Sequence, residues 1–317
     1  MKAILVREYG EPETMKLEDA SLHGPAAGQM LVKIEAVGVN PVECYVRAGL
    51  RAGMQQLPYT PGTDGAGRVL AVGAGVNEFA PGDRVYLFGS ATGTYAENAL
   101  CELNQVYKLP ENISFEQGAA LGIPYATAWR ALFQLAHMQK GETVLVHGAT
   151  GGVGLAAVQL ASTAGYTVIG TAGSEAGKEL ILKQGAHFAI DHGDTEAVRR
   201  HTDNRGADVV LEMLANKNLT ADLQMAAQRA RVIVIGSRGS LEIDPRMCMA
   251  KDVTIRGMLL FNANAEELAA IHAGLYTGLE NGTLKPVISK RFPLVQAPAA
   301  HHAVMESSTH GKIILLP

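Results

Sequence analysis

The chain has 317 residues, of which 47% are hydrophobic and 18% are charged, and its formal net charge is −4. This length indicates two domains, and the composition excludes a disordered chain. The apolar runs are far shorter than a bilayer span, and the negative charge argues against a nucleic-acid partner. Because Cys44, Cys101 and Cys248 form no CxxC pair, we expect a cytoplasmic protein without disulfides.

The first third of the chain is predicted to be rich in β-strands. Residues 30–36 alternate as a half-buried strand does, and 67–72 and 84–88 are further short strands. Glycine-containing turns at 73–75 and 81–83 separate these segments. Regularly spaced short strands of this kind indicate a barrel-like or sandwich-like domain.

From residue 143 onward, predicted strands and helices alternate. The strands are 143–147, 167–170, 188–191, 208–212, 231–236 and 253–257, and the helices between them are 152–164, 175–184, 196–201 and 219–229. A further helix, 127–137, precedes the first of these strands. Six strands at this spacing match a doubly wound parallel sheet, the Rossmann fold. A helix at 266–281 and strands at 291–294 and 312–316 follow. The predicted fold is therefore α/β, with a Rossmann domain (124–261) inserted into a β-rich substrate domain (1–123 and 262–317).

The strongest local motif is a glycine-rich turn. Residues 144–154 place a strand, a glycine turn and a helix start in the order that dinucleotide-binding folds require. The segment 149–154 carries Ala-x-Gly-x-x-Gly, with alanine at the first position of the usual fingerprint. Gly151 lets the backbone approach a pyrophosphate, and Gly154 lets the helix pack on the strand. The helix that begins at Gly152 offers free N–H groups to the anion.

The end of the second Rossmann strand indicates which nicotinamide cofactor binds. An NAD enzyme usually carries Asp or Glu there, whereas this chain has Ala-Gly-Ser at 172–174. Ser174 can donate a hydrogen bond, and Lys178 adds a positive charge one turn further on. Glu175 opposes this interpretation if it points inward. We therefore predict NADPH as the cofactor.

Several longer blocks identify a family. The most specific are Glu-Met-Leu-Ala-Asn at 212–216 and Gly-Ser-Arg-Gly at 236–239. Others lie at 38–43, 57–62, 122–125, 146–149, 170–173 and 234–239. Together they resemble the zinc-free quinone oxidoreductases of the medium-chain dehydrogenase/reductase superfamily, of the zeta-crystallin type, nearly from end to end.

The resemblance implies a GroES-like substrate domain, NADPH binding, quinone reduction and a homodimer or homotetramer. It places Asn40 and Tyr45 in the pocket near the nicotinamide. The positions that match cofactor contacts of the family are Tyr45, Thr127, Thr150, Gly151, Gly152, Val153, Gly173, Ser174, Lys178, His192, Asn218, Ile235, Gly236, Ser237, Arg238, Met258, Leu259 and Leu260. Arg51 departs from the pattern, because the family usually has a second pocket aromatic there.

No metal site is predicted. Zinc-containing relatives use two Cys and a His-Glu pair, but Asn40 stands in place of one thiolate and Thr63-Asp64 in place of the pair. Zinc needs deprotonated Cys, His or carboxylate ligands at close spacing. His301 and His302 are adjacent, and their side chains leave a helix about 100° apart. We therefore expect them on a solvated helix face rather than in a chelate.

Without a metal Lewis acid, alcohol oxidation lacks the group that usually polarises the substrate oxygen, whereas quinones are electrophilic enough to be reduced without such activation. Tyr45 would stack on or hydrogen-bond the flat acceptor, and Asn40 would donate its amide N–H to a carbonyl oxygen. If Arg51 faces the pocket, it would favour anionic acceptors. The residues leave open whether hydride or single electrons are transferred.

Three alternatives stay open. The nearest is an NADPH-dependent reductase of α,β-unsaturated carbonyls, which a substrate panel separates from a quinone reductase. An RNA-binding protein would use the basic clusters at 199–201 and 285–291, although solvated faces explain these clusters more simply. A structural, crystallin-like role needs only stability and abundance.

Overall fold

The computed structural model describes residues 1–50, 55–306 and 309–317. Two compact units are present, one formed by Met1–Ile123 with Lys285–Pro317 and the other by Pro124–Leu284. The second unit is therefore inserted into the first. The sequence prediction returned the chain to the first domain at residue 262, whereas in the structure residues 262–284 belong to the second unit.

Strands and helices are numbered in chain order through the described residues. The strands are β1 (Lys2–Val6), β2 (Met15–Asp19), β3 (Gln29–Val39), β4 (Asp64–Val72), β5 (Arg84–Phe88), β6 (Asn98–Glu102), β7 (Val106–Lys108), β8 (Thr143–Val146), β9 (Thr167–Thr171), β10 (Phe188–Ile190), β11 (Ala207–Glu212), β12 (Ala226–Val234), β13 (Thr254–Gly257), β14 (Ile288–Pro293) and β15 (Lys312–Leu316). The helices are α1 (Pro41–Arg47), α2 (Phe115–Gly118), α3 (Gly122–Trp129), α4 (Gly152–Thr163), α5 (Glu175–Lys183), α6 (Thr195–His201), α7 (Ala215–Met225), α8 (Pro245–Met249), α9 (Ala265–Glu280) and α10 (Ala297–Met305).

The first unit is built on a mixed sheet in the order β14-β15-β3-β4-β5-β7, with β6 also paired to β3 and a separate β1-β2 ribbon. Neighbouring pairs in the sheet are antiparallel except for β14 and β15. The central strand β3 alternates buried side chains such as Met30, Val32 and Ile34 with more exposed ones. This alternation is the pattern that predicted the strand, and the buried face forms the core of the unit.

The second unit contains a six-stranded parallel sheet in the order β10-β9-β8-β11-β12-β13. This is the doubly wound order, so the predicted Rossmann fold is confirmed. The central strand β8 is buried along its whole length, as expected for a parallel strand covered on both faces. The sheet places the carboxyl ends of β8, β9 and β11 along one edge, where ligands bind in such folds.

One predicted helix differs in form. The sequence indicates a single helix at 127–137, but α3 ends at Trp129 and a π-helical turn, Arg130–Leu135, follows. This turn directs Arg130 and Gln134 to the same residue of α9, because Arg130 Nη2 lies 3.3 Å from Glu267 Oε2 and Gln134 Nε2 donates to the Glu267 carbonyl at 2.9 Å. These bonds hold α9 in the second unit, which explains the later domain boundary.

Across the described residues, none of the helices has both the length and the apolar character needed to span a membrane.

Candidate functional site

The glycine turn between β8 and α4 has the conformation that the fingerprint predicts. Gly148 has a φ of 53°, and its carbonyl accepts a hydrogen bond from the N–H of Gly151 at 3.0 Å. A Cβ at Gly154 would lie 2.3 Å from the Gly148 carbonyl oxygen, so only glycine lets α4 begin this close to the turn. The first-turn N–H groups of α4, which include those of Gly152 and Val153, have no partner inside the helix. This turn can hold a pyrophosphate.

The end of β9 carries no carboxylate, but Asp191, which follows the neighbouring strand β10, supplies one. Lys178 Nζ lies 2.8 Å from Asp191 Oδ1 and 3.0 Å from Glu175 Oε1. Hydrogen bonds to Asp191 and then to Glu175 raise the pKa of Lys178. Sequence reasoning missed Asp191 because it follows β10, which pairs with β9 but lies about 20 residues further along the chain. The predicted 2′-phosphate lysine is therefore already paired with two acids.

Two further predicted cofactor positions meet beside β9. The ring of His192 would be 3.4 Å from a Cβ at Gly173, so a larger residue there would crowd the imidazole. Nδ1 of His192 lies 2.9 Å from the hydroxyl oxygen of Thr171, which also accepts from the N–H of Gly148 at 3.1 Å. Burial, followed by the charge of His147, lowers the pKa of His192. This contact links the glycine turn to the end of β10.

The segment after β11 and the segment after β12 form a second cluster of predicted residues. The N–H groups of Ile235 and Gly236 donate to the Glu212 carbonyl at 2.8 and 3.2 Å. The backbone N–H of Arg238 donates to Asn216 Oδ1 at 2.9 Å, a contact that sequence reasoning did not assign. Asn218 Nδ2 donates to Glu212 Oε1 at 3.1 Å. These bonds bring Asn218 and the 235–238 loop together.

Four of the remaining predicted positions of the second unit, Ser237 and residues 258–260, lie beside this cluster or next to it in the chain. The N–H of Met258 donates to the Val234 carbonyl at 2.9 Å, which places the 258–260 segment beside the end of β12. Met258 and Leu260 are buried and Leu259 is exposed, while Ser237 donates its hydroxyl to the Gly239 carbonyl at 2.9 Å. The other three positions, each on a separate element, are Thr127 in α3, Thr150 in the glycine turn and Ser174 as the N-cap of α5.

Asn40 and Tyr45, the two predicted catalytic residues, belong to the first unit. Asn40 is the N-cap of α1, and Tyr45 lies half-buried within the same helix. The interpretation of Arg51 falls outside the described residues. His301 and His302 were expected on a solvated face, which is wrong for His301, because it is fully buried with Nε2 3.1 Å from the Tyr95 hydroxyl.

The amide of Asn40 is part of a buried polar network. Its Nδ2 donates to Asp64 Oδ2 at 2.9 Å and faces Glu43 Oε1 at 3.3 Å, while its Oδ1 accepts from Lys312 Nζ at 2.5 Å. Lys312 also donates to Asp64 Oδ2 at 2.7 Å. Both ends of the Asn40 amide are therefore used inside the protein. This corrects the expectation that Asn40 offers a free N–H to the acceptor.

A carboxyl group closes the network on its other side. Glu43 accepts from the Asn40 N–H at 2.9 Å, the Thr63 N–H at 3.1 Å and the Tyr95 hydroxyl at 2.7 Å. Burial raises the pKa of Glu43, and the nearby Lys312 charge opposes that rise. Sequence reasoning missed Glu43, although it lies in the 38–43 block that carries the family likeness.

Comparisons with known proteins give the family. Residues 26–111 match the alcohol dehydrogenase GroES-like domain, and residues 152–273 match the zinc-binding dehydrogenase family. The quinone oxidoreductase of Rattus norvegicus is 49% identical, over 100% of this chain and 98% of that protein. This chain belongs to the quinone oxidoreductases of the medium-chain dehydrogenase/reductase superfamily.

Solved structures of this superfamily agree in fold. The Escherichia coli quinone oxidoreductase complexed with NADPH is 28% identical, with a TM-score of 0.91 and complete coverage of both chains. An NAD-dependent alcohol dehydrogenase matches equally well, with 28% identity, a TM-score of 0.92 and complete coverage of both chains. The predicted family resemblance is confirmed, but the fold alone does not select the cofactor or the reaction.

The zinc implied by the name of one matching family does not fit this quinone oxidoreductase. At the positions where zinc relatives carry ligands, this chain has Asn40, Thr63 and Asp64. The ammonium of Lys312 lies against Asn40 Oδ1 and Asp64 Oδ2, so a positive charge already neutralises the carboxylate of Asp64. Zinc sites are built from thiolate, imidazole and carboxylate ligands, and this network supplies only the last of these.

Proposed function

We propose that this protein reduces quinones with NADPH and without a metal ion. The observation that carries the proposal is the Lys312 ammonium held between Asn40 and Asp64. A dehydrogenase that oxidises alcohols through zinc needs a Lewis acid at this place, whereas a quinone is electrophilic enough to accept reducing equivalents without one. The full-length similarity to proteins named quinone oxidoreductase supports the same conclusion.

The second unit supplies the proposed cofactor site. The residues that would hold NADPH are those of the glycine turn at 150–153, the 173–178 segment, the 235–238 loop, His192 and Asn218. The N-terminus of α4 would receive the pyrophosphate, because its first-turn N–H groups are free and carry the positive end of the helix dipole. When bound, NADPH supplies the reducing equivalents for the acceptor. Thr127 and the 258–260 segment complete the set by their match to the family.

The first unit supplies the proposed acceptor residues. Tyr45 is half-buried and would stack its ring on a flat acceptor or donate its hydroxyl hydrogen to a carbonyl oxygen. Asn40 acts differently from the predicted donor, because Lys312, Asp64 and Glu43 already engage its amide. Its proposed role is to fix the start of α1, and with it the position of Tyr45.

We further propose a homo-oligomer, either a dimer or a tetramer, that acts in the cytoplasm. The edge strand β13 pairs only with β12 among the described strands, and Met249, Leu259 and Phe261 are large exposed apolar residues close to it in the chain. A second copy that pairs with this edge would bury them. Cys44, Cys101 and Cys248 are free thiols, which suits a reducing compartment.

Ion pairs also favour a small-molecule substrate over RNA. Arg199 and Arg200 lie 3.5 and 3.8 Å from Glu196 and Asp194, and Arg291 lies 2.7 Å from Glu116. These carboxylates neutralise the basic clusters that an RNA-binding role would need.

The proposal is tested by NADPH oxidation with an ortho-quinone, a para-quinone and an α,β-unsaturated ketone, before and after treatment with a zinc chelator. We expect turnover of the quinones at rates that the chelator does not change, and elemental analysis without stoichiometric zinc. Faster turnover of the enone would assign the chain to the enone reductases instead. Loss of activity on chelation would overturn the metal-free proposal.

A further inference from the structure

Three ionisable side chains are buried together beneath the proposed cofactor site. His147 follows β8, Glu212 ends β11 and Asp222 lies in α7. His147 Nε2 lies 2.7 Å from Asp222 Oδ1 and 3.5 Å from Glu212 Oε2, and both carboxylates are completely buried. We refer to these three residues as the buried triad. Among the described residues, Glu212 Oε2 and Asp222 Oδ2 have no hydrogen-bond donor, and the two carboxyl groups each place an oxygen within 4.8 Å of the other.

A proton fits the buried triad better than a metal ion. The three groups have ligand-type atoms within 4.8 Å of one another, the spacing of a potential metal site. Two ligands of a tetrahedral zinc are about 3.3 Å apart, because each bond is about 2.0–2.1 Å long. The His147–Asp222 separation of 2.7 Å is instead an ordinary hydrogen bond. A proton shared between Glu212 and Asp222 also satisfies the two oxygens that lack a donor.

The triad is tied to three cofactor segments through Glu212. One oxygen of its carboxylate accepts from the Leu214 N–H and from Asn218 Nδ2, the latter at 3.1 Å. Its carbonyl accepts from the first two residues of the 235–238 loop. Its other carboxylate oxygen faces His147, which directly precedes the glycine turn. A change in the charge or position of Glu212 therefore reaches every one of these segments.

We propose that Glu212 is a positioning residue that orients Asn218 toward NADPH, and that the proton it shares with Asp222 sets the charge beneath the phosphate-binding turn. The proposal rests on the proposed function, since it concerns how the same cofactor site is held. Glu212 accepts from Asn218 Nδ2 and so leaves the amide oxygen of Asn218 to face a ligand donor.

The charge of the triad changes within the physiological pH range. Burial raises the pKa of Glu212 and of Asp222 to about 7, and the charge of His147 opposes this rise for Glu212. Burial lowers the pKa of His147, and the charge of Glu212 opposes this decrease. Outside the triad, His192 interacts electrostatically with His147, and the exposed Asp191 acts on His192. As the pH rises through 7, the shared proton leaves for the solvent, and the two carboxyl groups then carry two buried negative charges instead of one beneath the proposed phosphate site.

The test measures the Kd for NADPH between pH 6.5 and 8.5 in the wild type and in the double variant Glu212→Gln/Asp222→Asn. Glutamine keeps an acceptor for Asn218, and neither of the two new amides ionises. The wild-type Kd should rise with pH about five- to tenfold more than that of the double variant, because only the wild type gains the buried charge. Ionisation of the 2′-phosphate is common to both proteins and cancels in the ratio. Parallel curves for the two proteins would overturn the proposed role of the proton.

Asp222→Asn provides a second variant should the double variant not fold. Its amide can donate to Glu212 and one of the two carboxyl groups is gone, so it should reduce the pH dependence without abolishing it.

A double-mutant cycle tests the positioning role. Asn218→Ala and Glu212→Ala should each weaken NADPH binding by about tenfold, the value of one well-placed hydrogen bond, and the double variant should be no weaker than either one. Additive losses would overturn the positioning role. If elemental analysis found a stoichiometric metal ion in the wild type but not in Asp222→Asn, the triad would hold that ion instead of the shared proton. These readouts need no quinone. Failure of the wild type to bind NADPH would instead refute the proposed function.

Discussion

Lys312 provides the sharpest test of how the first unit is stabilised. Lys312→Met removes the ammonium and keeps an unbranched apolar side chain of similar length. In the wild type this ammonium is 2.7 Å from Asp64 Oδ2, and both side chains are buried, with relative exposures of 5% and 0%. After the substitution, Asp64 keeps the Asn40 amide and the Ile123 N–H as donors but has no positive partner among the residues that the structure describes.

The size of the effect follows from this uncompensated charge. Removal of one partner of a buried ion pair costs about 3–5 kcal/mol. A domain of this size loses about 2–4 °C in Tm for each kcal/mol, so the transition of the first unit should fall by roughly 6–20 °C. Lys2→Met is the matched control, because the Lys2–Asp19 pair is 2.9 Å long in the same unit but is exposed. Its Tm should change by less than about 2 °C.

Differential scanning calorimetry of the two variants and of the double variant Lys312→Met/Asp64→Asn measures these shifts. In the double variant the charge is gone, and the new amide can donate to Asn40 Oδ1, which Lys312 no longer occupies. Most of the lost stability should therefore return. A Tm for Lys312→Met within about 2 °C of the wild type, or a double variant no more stable than the single one, would refute the reasoning.

Three other perturbations follow from the same structure. Asp191→Asn removes the carboxylate that lies 2.8 Å from Lys178 and should strengthen NADPH binding relative to NADH binding by about two- to fourfold. An equal change in both Kd values would show that Lys178 does not contact the 2′-phosphate. Gly154→Ala places a Cβ 2.3 Å from the Gly148 carbonyl oxygen and should weaken NADPH binding more than about tenfold. Gly257→Ala is the control, because its Cβ would meet nothing within 4 Å and NADPH binding should stay unchanged. Titration of both variants with NADPH measures the two Kd values. Burial lowers the pKa of His301 to about 3, so the folded state binds fewer protons than the unfolded state and loses stability as the pH falls below 6.5. Between pH 6.5 and 5 this loss is about 1.6 kcal/mol, and urea unfolding should show it as the difference between the wild type and His301→Gln, because the buried His272 contributes equally to both.

The sequence predicts the second unit more completely than the first. Its strands and helices alternate, and both the apolar strand β8 and the glycine turn after it are local patterns that any chain of this fold must carry. In the first unit, the ribbon β1-β2 and the short strands β6 and β7 escaped prediction. These strands are defined by their partners in the sheet rather than by a clear alternation of polar and apolar residues in their own sequence.

The candidate site likewise contains features that the sequence predicts and contacts that it does not. The positions of the glycine turn follow from backbone conformation, because φ angles and helix starts depend on neighbours in the chain. The pairing of Lys178 with Asp191 depends on strand order, and the Lys312–Asp64 pair joins residues 248 positions apart. No local pattern marks such partners.

The sequence by itself determined the fold class, the insertion of one domain into another, the glycine turn and the family. Only the tertiary structure decided that Asn40 has no free N–H, that His301 is buried, and that His147, Glu212 and Asp222 meet. The reason is physical. Backbone periodicity is encoded residue by residue, whereas the charge state and the hydrogen bonds of a buried polar group depend on which distant segments pack around it and exclude water.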